Sequence, residues 1–305
     1  MNVPPLNRRR FLGHAMAAAA LPLLARGADA PGFEIGLVAD AQFADVEDKG
    51  TRFYRNSIAK LGAAVDHFNG RDLAFCVHLG DLIDREWKSF DEISRPLARS
   101  RHRWHQLLGN HDFEVIDARK PEVPKRLGMA WRYGSFDHAG FRFAILDTND
   151  VSTYAHAAGT PESSAAVRQL ARLQAANVRQ AKPWNGGLGT AQLVWLDRTC
   201  TEARAAGKKV IVLAHHPVFP DNEHILWNAG EVRELLDRHP QIVAWLNGHN
   251  HAGAYGEHHG VPCLTMHGMV ETAETTAFAT ARVLADRIVL TGHGREPSRE
   301  LRFRA

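Results

Sequence analysis

The sequence of 305 residues has few cysteines, and their positions exclude several kinds of scaffold. Only Cys76, Cys200 and Cys263 are present, and no two of them have CxxC spacing. An odd number of well-separated cysteines argues against a full disulfide framework in an oxidising compartment. Cys76 lies within an apolar run and is predicted to be a core residue. The sequence also lacks internal repeats and low-complexity linkers.

Beyond its first 30 residues the sequence also lacks an excess of either charge. Those 30 residues hold four of the 37 basic residues and one of the 34 acidic ones, so the rest of the chain is formally neutral. A neutral chain gives no general signal for binding nucleic acid or an anionic membrane. Nucleic acid is therefore not an expected partner, and no later segment is long and apolar enough for stable membrane insertion.

The first 30 residues have the pattern of an export signal. Asn7-Arg8-Arg9-Arg10-Phe11-Leu12 resembles the twin-arginine motif, an apolar run follows from Ala15 to Ala25, and Ala28-Asp29-Ala30 offers small residues for cleavage. The run is shorter than the roughly 20 apolar residues of a membrane span. We expect a bacterial protein exported by the twin-arginine machinery to the periplasm or beyond, with residues 31–305 as its single domain. An uncleaved leader or anchor is the alternative.

Five apolar, partly β-branched runs predict buried strands, and polar side chains follow each of them. These side chains are Asp40 and Gln42, Asp81 and Asp84, Asn110 and His111, His215, and His249 and His251. Sites in α/β sheets gather beyond the carboxyl ends of strands, so we expect these residues to meet. One such histidine alone is more often a surface or core residue. Five such strand ends together predict a two-metal site.

The segments between these strands give coarser predictions. Helical spacing from about Arg52 to Phe68 places a helix between the first two strands, which is the order of an α/β layer. A second helix is predicted from Pro161 to Ala181. Glycines in the segment 185–189 predict a flexible loop, and Thr190 is the predicted cap of the helix that follows.

The order of the motifs resembles that of the calcineurin-like metallophosphoesterases. Asp-x-(His/Gln), Gly-Asp-x-x-Asp, Gly-Asn-His-(Asp/Glu), a strand-terminal His and Gly-His-x-His follow one another along the chain. Within that superfamily the sequence is most similar to the manganese-dependent ADP-ribose/CDP-alcohol diphosphatases, with Gln42 where most members have His. The segments Gly186-Gly187, Leu226-Trp227-Asn228 and Val270-Glu271-Thr272-Ala273 add to this likeness, which runs from about Phe33 to the C-terminus.

The resemblance implies a fold and a ligand set. The fold would be α/β with four layers, in which two mixed β-sheets pack face to face with helices on both outer sides. The first of two divalent metal ions would be held by Asp40, Gln42, Asp81 and His251, and the second by Asp81, Asn110, His215 and His249. Asp81 would bridge the two, and His215 rather than His216 would be the ligand. Oxygen and imidazole donors without thiolate favour Mn²⁺, with Mg²⁺, iron and Zn²⁺ as alternatives.

The implied reaction is in-line attack on phosphorus by a hydroxide that bridges the two metals. Asn110 would be both a metal ligand and a hydrogen-bond donor to the phosphate. His111 would protonate the leaving oxygen, and Asp84 would accept a hydrogen bond from the His111 ring and favour its charged form. The alternatives are a turn-capping role for Asp84 and a simple phosphate contact for His111.

The sequence names candidates for the rest of a nucleotide site without selecting among them. Four aromatic residues flank the metal motifs and could stack a base, although each also suits core packing: Phe43, Tyr54, Phe219 and Trp227. Arg52 and Arg55 could bind a distal phosphate or be solvated side chains on a helix.

Three functions fit these features. The first is a manganese-dependent hydrolase of the phosphoanhydride in ADP-ribose, CDP-alcohols or related small-molecule nucleotides. The second is a periplasmic phosphomonoesterase or phosphodiesterase with the same metal centre, suggested by the export signal because ADP-ribose is mainly cytoplasmic. The third is a metal-binding scaffold without turnover, which the complete set of ligands disfavours. The oligomeric state is left open.

Overall fold

The computed structural model describes residues 32–304, so the export signal predicted for residues 1–30 lies outside the described part. Twelve strands in this part form two six-stranded sheets. The first sheet has the order β12 (Arg299–Arg302), β11 (Arg287–Gly294), β10 (Ala277–Val283), β1 (Phe33–Val38), β2 (Phe75–His78), β3 (Trp104–Gln106). The second has the order β4 (Gly134–His138), β5 (Phe141–Ile145), β6 (Lys209–Leu213), β7 (Ile242–Asn247), β9 (Val261–His267), β8 (Ala252–His258).

Both sheets are mixed. In the first, β1, β2 and β3 are parallel neighbours, whereas β10, β11 and β12 continue the sheet in antiparallel pairs. In the second, β5, β6, β7 and β9 are parallel, and β4 and β8 close the two edges in antiparallel pairs. The carboxyl ends of the parallel strands therefore lie at the same end of each sheet.

Helices cover the outer face of each sheet. The α-helices of the described part are α1 (Ser57–Asn69), α2 (Ser89–Leu97), α3 (Val123–Arg126), α4 (Pro161–Ala175), α5 (Thr190–Ala205) and α6 (Ala229–Arg238), with short 3-10 helices at His111–Phe113 and Asp117–Glu122. The side chains of α1 and α2 pack on the first sheet, and those of α5 and α6 pack on the second. The predicted four-layer architecture is confirmed.

Alternation along the strands explains why the layers separate in this way. In β1, Ile35 and Leu37 point into the core between the two sheets. Gly36 faces the other side, where the ring of Phe68 from α1 lies so close that a Cβ atom would be 2.9 Å from it. The missing side chain at position 36 therefore lets α1 pack closely on the strand.

Several predicted boundaries were wrong. Helix α1 begins at Ser57 rather than near Arg52, because Arg52 forms isolated bridges with Lys49 and Glu271. Helix α4 ends at Ala175. Thr190 is the first residue of α5 and makes no capping bond, since the cap position is held by Gly189.

The segment 185–189 is also held in place rather than being a flexible loop. Gly187 exchanges two backbone hydrogen bonds with Val151, at 2.9 and 3.0 Å. The cysteines Cys76, Cys200 and Cys263 are free and buried in the core. Within residues 32–304, helices with the length and apolarity of a membrane span are not found.

Candidate metal centre

The five polar strand ends meet at one end of the two packed sheets. Strands β1, β2 and β3 of the first sheet and β6 and β7 of the second each end two to four residues before the first predicted site residue. Both sheets therefore contribute to the site, and each site residue lies on a loop that directly follows a strand or close to one. This is the edge at which ligands bind in parallel sheets.

Four of the site residues have the positive φ that non-glycine residues rarely adopt: Asp40 (52°), Gln42 (43°), Asp81 (58°) and His249 (72°). Such a conformation costs about 1–3 kcal/mol per residue and persists only where the surroundings enforce it. Here the Asp40 N–H donates to the carbonyl of Gly80 at 3.2 Å, and the Gln42 N–H donates to the carbonyl of Asp81 at 2.9 Å. The His249 N–H donates to the Asp40 carboxylate at 3.1 Å. These bonds tie the loops together.

The first group of donors consists of Asp40, Gln42, Asp81 and His251. One ligand atom from each of Asp40, Asp81 and His251 lies within 4.8 Å of the others. The Gln42 Nε2 lies between them, 2.9 Å from Asp81 Oδ2 and 3.0 Å from His251 Nε2. Its Oε1 is buried and has no hydrogen-bond partner. Rotating the amide by half a turn would direct this oxygen toward the same point, which suits a cation.

The second group consists of Asp81, Asn110, His215 and His249. His215 Nε2 lies 3.4 Å from Asp81 Oδ2 and 3.1 Å from Asn110 Oδ1. The ring centroids of His215 and His249 are 5.1 Å apart. Asp81 thus lies between the two groups, which is the position that a bridging carboxylate needs. The structure brings all seven residues proposed as metal ligands into one cluster.

Each of the three imidazoles has one ring nitrogen bonded to a protein acceptor, and the other nitrogen of His215 and of His251 contacts only further members of the cluster. His215 Nδ1 donates to the Leu79 carbonyl at 2.8 Å, and His251 Nδ1 donates to Glu271 Oε1 at 2.7 Å. His249 Nε2 lies 2.9 Å from the side-chain oxygen of Asn185, whose amide nitrogen is already occupied as a donor. Acceptors of this kind fix the tautomer of metal-binding histidines. The donor chemistry therefore fits a dinuclear centre.

Burial and charge act on the ionisable groups of the cluster in opposite directions. Burial raises the pKa of Asp40. Burial would also raise the pKa of Asp81, but His215, His111 and hydrogen bonds hold it well below its usual range. Burial would lower the pKa of His215, yet the carboxylates of Asp81 and Asp40 raise it to about 9. Two buried carboxylates so close together need a compensating positive charge, which bound cations supply.

His216 is buried beside the cluster but is already fully bonded. Its Nδ1 lies 2.7 Å from the Thr148 hydroxyl, and its backbone N–H donates to the same oxygen at 3.2 Å. Its Nε2 donates to the Trp184 carbonyl at 3.3 Å. Although its ligand atom lies within 4.8 Å of those of His215 and His249, this pattern leaves no free lone pair on the His216 ring.

His111 and Asp84, the predicted acid and its partner, lie at the same edge. His111 Nδ1 is 3.4 Å from Asp84 Oδ1 and 3.2 Å from the Asp84 carbonyl oxygen. Asp84 is 1% exposed, and its Oδ2 accepts from Arg85 Nε at 2.6 Å. The His111 backbone N–H donates to Asp81 Oδ1 at 2.8 Å. The hydrogen bond predicted from the His111 ring to the Asp84 side chain is thus made to the backbone carbonyl instead, and Oδ1 of the carboxylate has no hydrogen-bond partner. Arg85, which was not anticipated, binds the other carboxylate oxygen.

Asp112 is a further residue that the sequence analysis missed, although it belongs to the Gly-Asn-His-Asp motif. It is fully buried, and its carboxylate accepts four backbone hydrogen bonds, from Gly109, Asp81, Leu82 and Ile83, at 2.9 to 3.2 Å. Burial and the charge of Asp81 raise the pKa of Asp112 to about 7, against the effect of these donors. Asp112 fastens the turn after β2 to the turn after β3.

Glu271 and Lys60 form a second support that the sequence did not reveal. Hydrogen bonds from His251 and Thr51 lower the pKa of Glu271 to about 2, although burial acts to raise it. Lys60 of α1 is 4% exposed, and its ammonium donates to the carbonyls of residues 270, 271 and 272 at 2.8 to 3.3 Å. Only the sequence motif around Glu271 hinted at this part of the site.

The cluster forms the floor of an open cleft of about 360 Å³. Arg52, Trp184 and His224 line it together with His111 and five of the seven metal-site residues. Most of the substrate-site candidates from the sequence lie elsewhere. Phe43, Tyr54 and Trp227 are at most 3% exposed core residues, Phe219 packs against His258, and Arg55 pairs with Asp45 and Glu47. Trp184 was missed because nothing in the local sequence distinguishes an exposed tryptophan from a buried one.

Comparisons with known proteins agree with this geometry. Residues 33–253 match the family described as calcineurin-like phosphoesterase. The chain is 30% identical to a manganese-dependent ADP-ribose/CDP-alcohol diphosphatase of Xenopus tropicalis, over 90% of this chain and 95% of that protein. The protein of the same name from Arabidopsis thaliana is 29% identical, over 88% of this chain and 96% of its own length.

Solved structures give the same picture. A dimetal phosphatase from Danio rerio superimposes with a TM-score of 0.82 at 28% identity, covering 90% of this chain and 100% of that chain. A purple acid phosphatase from yellow lupin has a TM-score of 0.50 at 13% identity, over 88% of this chain and 53% of that one. The second likeness concerns the fold alone.

Proposed function

This chain belongs to the calcineurin-like phosphoesterase family, and on that premise we propose that it hydrolyses the phosphoanhydride bond of ADP-ribose, CDP-alcohols or related nucleotides. The family makes the chain a metal-dependent hydrolase. The observation that carries the proposal is the set of three histidines, each fixed by an acceptor, around the central carboxylate of Asp81. The similarity to the named diphosphatases over nearly the whole chain supports this choice of substrate class.

The residues that would hold the two cations are the seven that the structure brings together. Carboxylates, amide oxygens and imidazoles without thiolate suit Mn²⁺, and the names of the relatives include manganese. When bound, two such cations polarise phosphoryl oxygens and lower the pKa of water toward neutrality. The carboxylates of Asp40 and Asp81 supply the negative charge that keeps them in place.

The remaining residues of the cleft act on the phosphate and on the leaving group. Asn110 is 6% exposed and lines the cleft, so its amide nitrogen can donate to a phosphate oxygen. The backbone carbonyl of Asp84 accepts the hydrogen bond of His111 Nδ1, and its carboxylate lies 3.4 Å from the same nitrogen, which leaves Nε2 to carry a proton to the leaving oxygen.

Product analysis tests the proposal. Metal-depleted protein would be supplied with Mn²⁺ and incubated with ADP-ribose, CDP-choline and a simple phosphomonoester. AMP with ribose 5-phosphate, or CMP with phosphocholine, is the expected result, and an Asp81→Asn variant should release neither. Cleavage of the monoester alone would contradict anhydride hydrolysis and favour the phosphomonoesterase alternative.

The leader supports a separate proposal about location. We propose that the protein is exported through the twin-arginine pathway to the periplasm or beyond, because of Arg8, Arg9 and the apolar run that follows. A variant with Arg8→Lys and Arg9→Lys should stay in the cytoplasm, while the unaltered chain should be recovered from the periplasmic fraction. If the variant and the unaltered chain were distributed equally between cytoplasm and periplasm, the proposal would be refuted.

A further inference from the structure

Trp184 is an exposed aromatic side chain in the wall of the cleft. Among residues 32–304, the large hydrophobic side chains that are exposed are Ile116, Trp131, Val167, Trp184, Val194 and Tyr255. Of these, Trp184 alone lines the cleft above the metal cluster. It is 40% exposed. An exposed indole in a functional cleft is a candidate contact for a flat apolar ligand.

The backbone that carries the indole is hydrogen-bonded to residues beside the metal cluster. Its carbonyl accepts the hydrogen bond of His216 Nε2 at 3.3 Å. The next residue, Asn185, is fully buried and contacts His249 at 2.9 Å. The segment that carries the indole is therefore attached to the metal site itself. A ligand that reaches both places would meet groups whose relative position is set in advance.

The surroundings of the indole are partly cationic and open to solvent. Lys182 Nζ lies 5.8 Å from the ring centroid, and Glu223 pairs with this ammonium at 3.2 Å. The His224 ring lies 6.5 Å from the indole, tilted by 39°, and its buried Nδ1 has no hydrogen-bond partner. Among the described residues no aromatic ring stacks in parallel on Trp184, and Lys182 lies over one face of the indole. A flat ligand would stack on the other face.

We propose that Trp184 is the stacking platform for the nucleobase of the substrate, and that it favours purine over pyrimidine nucleotides. This inference rests on the proposed function, because a phosphoanhydride at the metal cluster places the rest of the nucleotide along the cleft wall. Stacking on an aromatic side chain tolerates any base, since every base has a π face. A purine overlaps more of the indole than a pyrimidine does, which gives the preference its direction.

The test uses the two products of ADP-ribose cleavage, which differ in the presence of a base. AMP and ribose 5-phosphate would be titrated into Mn²⁺-loaded protein, with tryptophan fluorescence and calorimetry as readouts. AMP should quench part of the fluorescence, and ribose 5-phosphate should not. Trp184→Ala should abolish the quenching and raise the Kd of AMP about tenfold, a change of about 1.4 kcal/mol, with the Kd of ribose 5-phosphate unchanged.

Further variants separate stacking from other effects. Trp184→Phe keeps an aromatic face and should retain most of the AMP affinity, whereas Trp184→Leu keeps only apolar bulk and should behave as Trp184→Ala does. The matched control is Trp131→Ala, since Trp131 is 79% exposed and lies in a different groove. CMP should bind to the unaltered protein more weakly than AMP does. To Trp184→Ala, CMP and AMP should bind with equal affinity.

Two results would overturn the inference. Trp184→Ala could bind AMP as tightly as the unaltered protein, or it could lose affinity for AMP and ribose 5-phosphate to the same extent. ADP-ribose turnover by the same preparation distinguishes this failure from failure of the proposed function. If ADP-ribose is cleaved to AMP but Trp184→Ala leaves AMP binding unchanged, only the proposed stacking role of Trp184 is refuted. If AMP binding depends on Trp184 but ADP-ribose is not cleaved, the proposed activity is refuted and the base-binding role of Trp184 stands.

Discussion

Replacing Gly109 by alanine should displace the central carboxylate of the metal cluster. A Cβ atom on Gly109 would lie 2.1 Å from both the backbone nitrogen and Oδ1 of Asp81. Heavy atoms need at least about 3 Å here, so the loop after β2 or β3 must move by nearly 1 Å. Asp81 cannot rotate away freely, because its N–H is bonded to Asp112 and its Oδ1 to the His111 N–H.

Two effects of this substitution should be measurable. Overpacking of a close contact costs about 1–3 kcal/mol of unfolding free energy, which denaturant titration would detect. A misplacement of about 1 Å at a catalytic centre can lower the rate by about 100-fold. We expect kcat/KM for ADP-ribose to fall by at least that factor, and the metal content after dialysis to fall below two ions per chain.

The matched control is Gly134→Ala. Gly134 lies in β4, and a Cβ atom there would have no neighbour within 4 Å. This variant should keep its activity and metal content. If Gly109→Ala retained two tightly bound ions and normal turnover, the close packing of Gly109 on Asp81 would not constrain the centre, and the reasoning would be refuted.

Other changes address single elements of the site. His111→Ala should lower kcat by about 10²- to 10⁴-fold without loss of metal, because its bond to Asp81 is made by the backbone N–H; unchanged turnover would exclude it as the acid. Glu271→Ala should weaken metal binding by about 10- to 100-fold in calorimetry, and Glu271→Gln should restore most of it by accepting from His251; equal losses would argue against this role. Gln42→His should increase activity with Zn²⁺ relative to Mn²⁺, and an unaltered metal profile would contradict the argument. Chelation should lower the Tm measured by calorimetry, since a ligand present at 100 times its Kd stabilises a fold by about 2.7 kcal/mol; a Tm indifferent to Mn²⁺ would count against a metal centre.

The strands and the candidate metal ligands could be predicted from sequence because their signals are local. An apolar run followed by Asp40, or by His215, needs no knowledge of the rest of the chain. The parallel order of the strands then brings such ends together by a general rule of α/β sheets. The boundaries of α1 and α5 were less predictable, because a bridge from Arg52 to the distant Glu271 and the conformation of Gly189 decided them.

The sequence by itself therefore determined the class of fold, the family and the chemical nature of the metal donors. Tertiary structure alone decided which residues orient those donors and what lines the cleft. Glu271 contacts His251 at a sequence separation of 20 residues, and Asn185 contacts His249 at a separation of 64. Lys60 donates to the Glu271 carbonyl at a separation of 211. Trp184 and Trp227 are the same residue type beside similar motifs, yet one is 40% exposed and the other 3%. Contacts at such separations depend on how the layers pack, and the local periodicity of the sequence does not predict that packing.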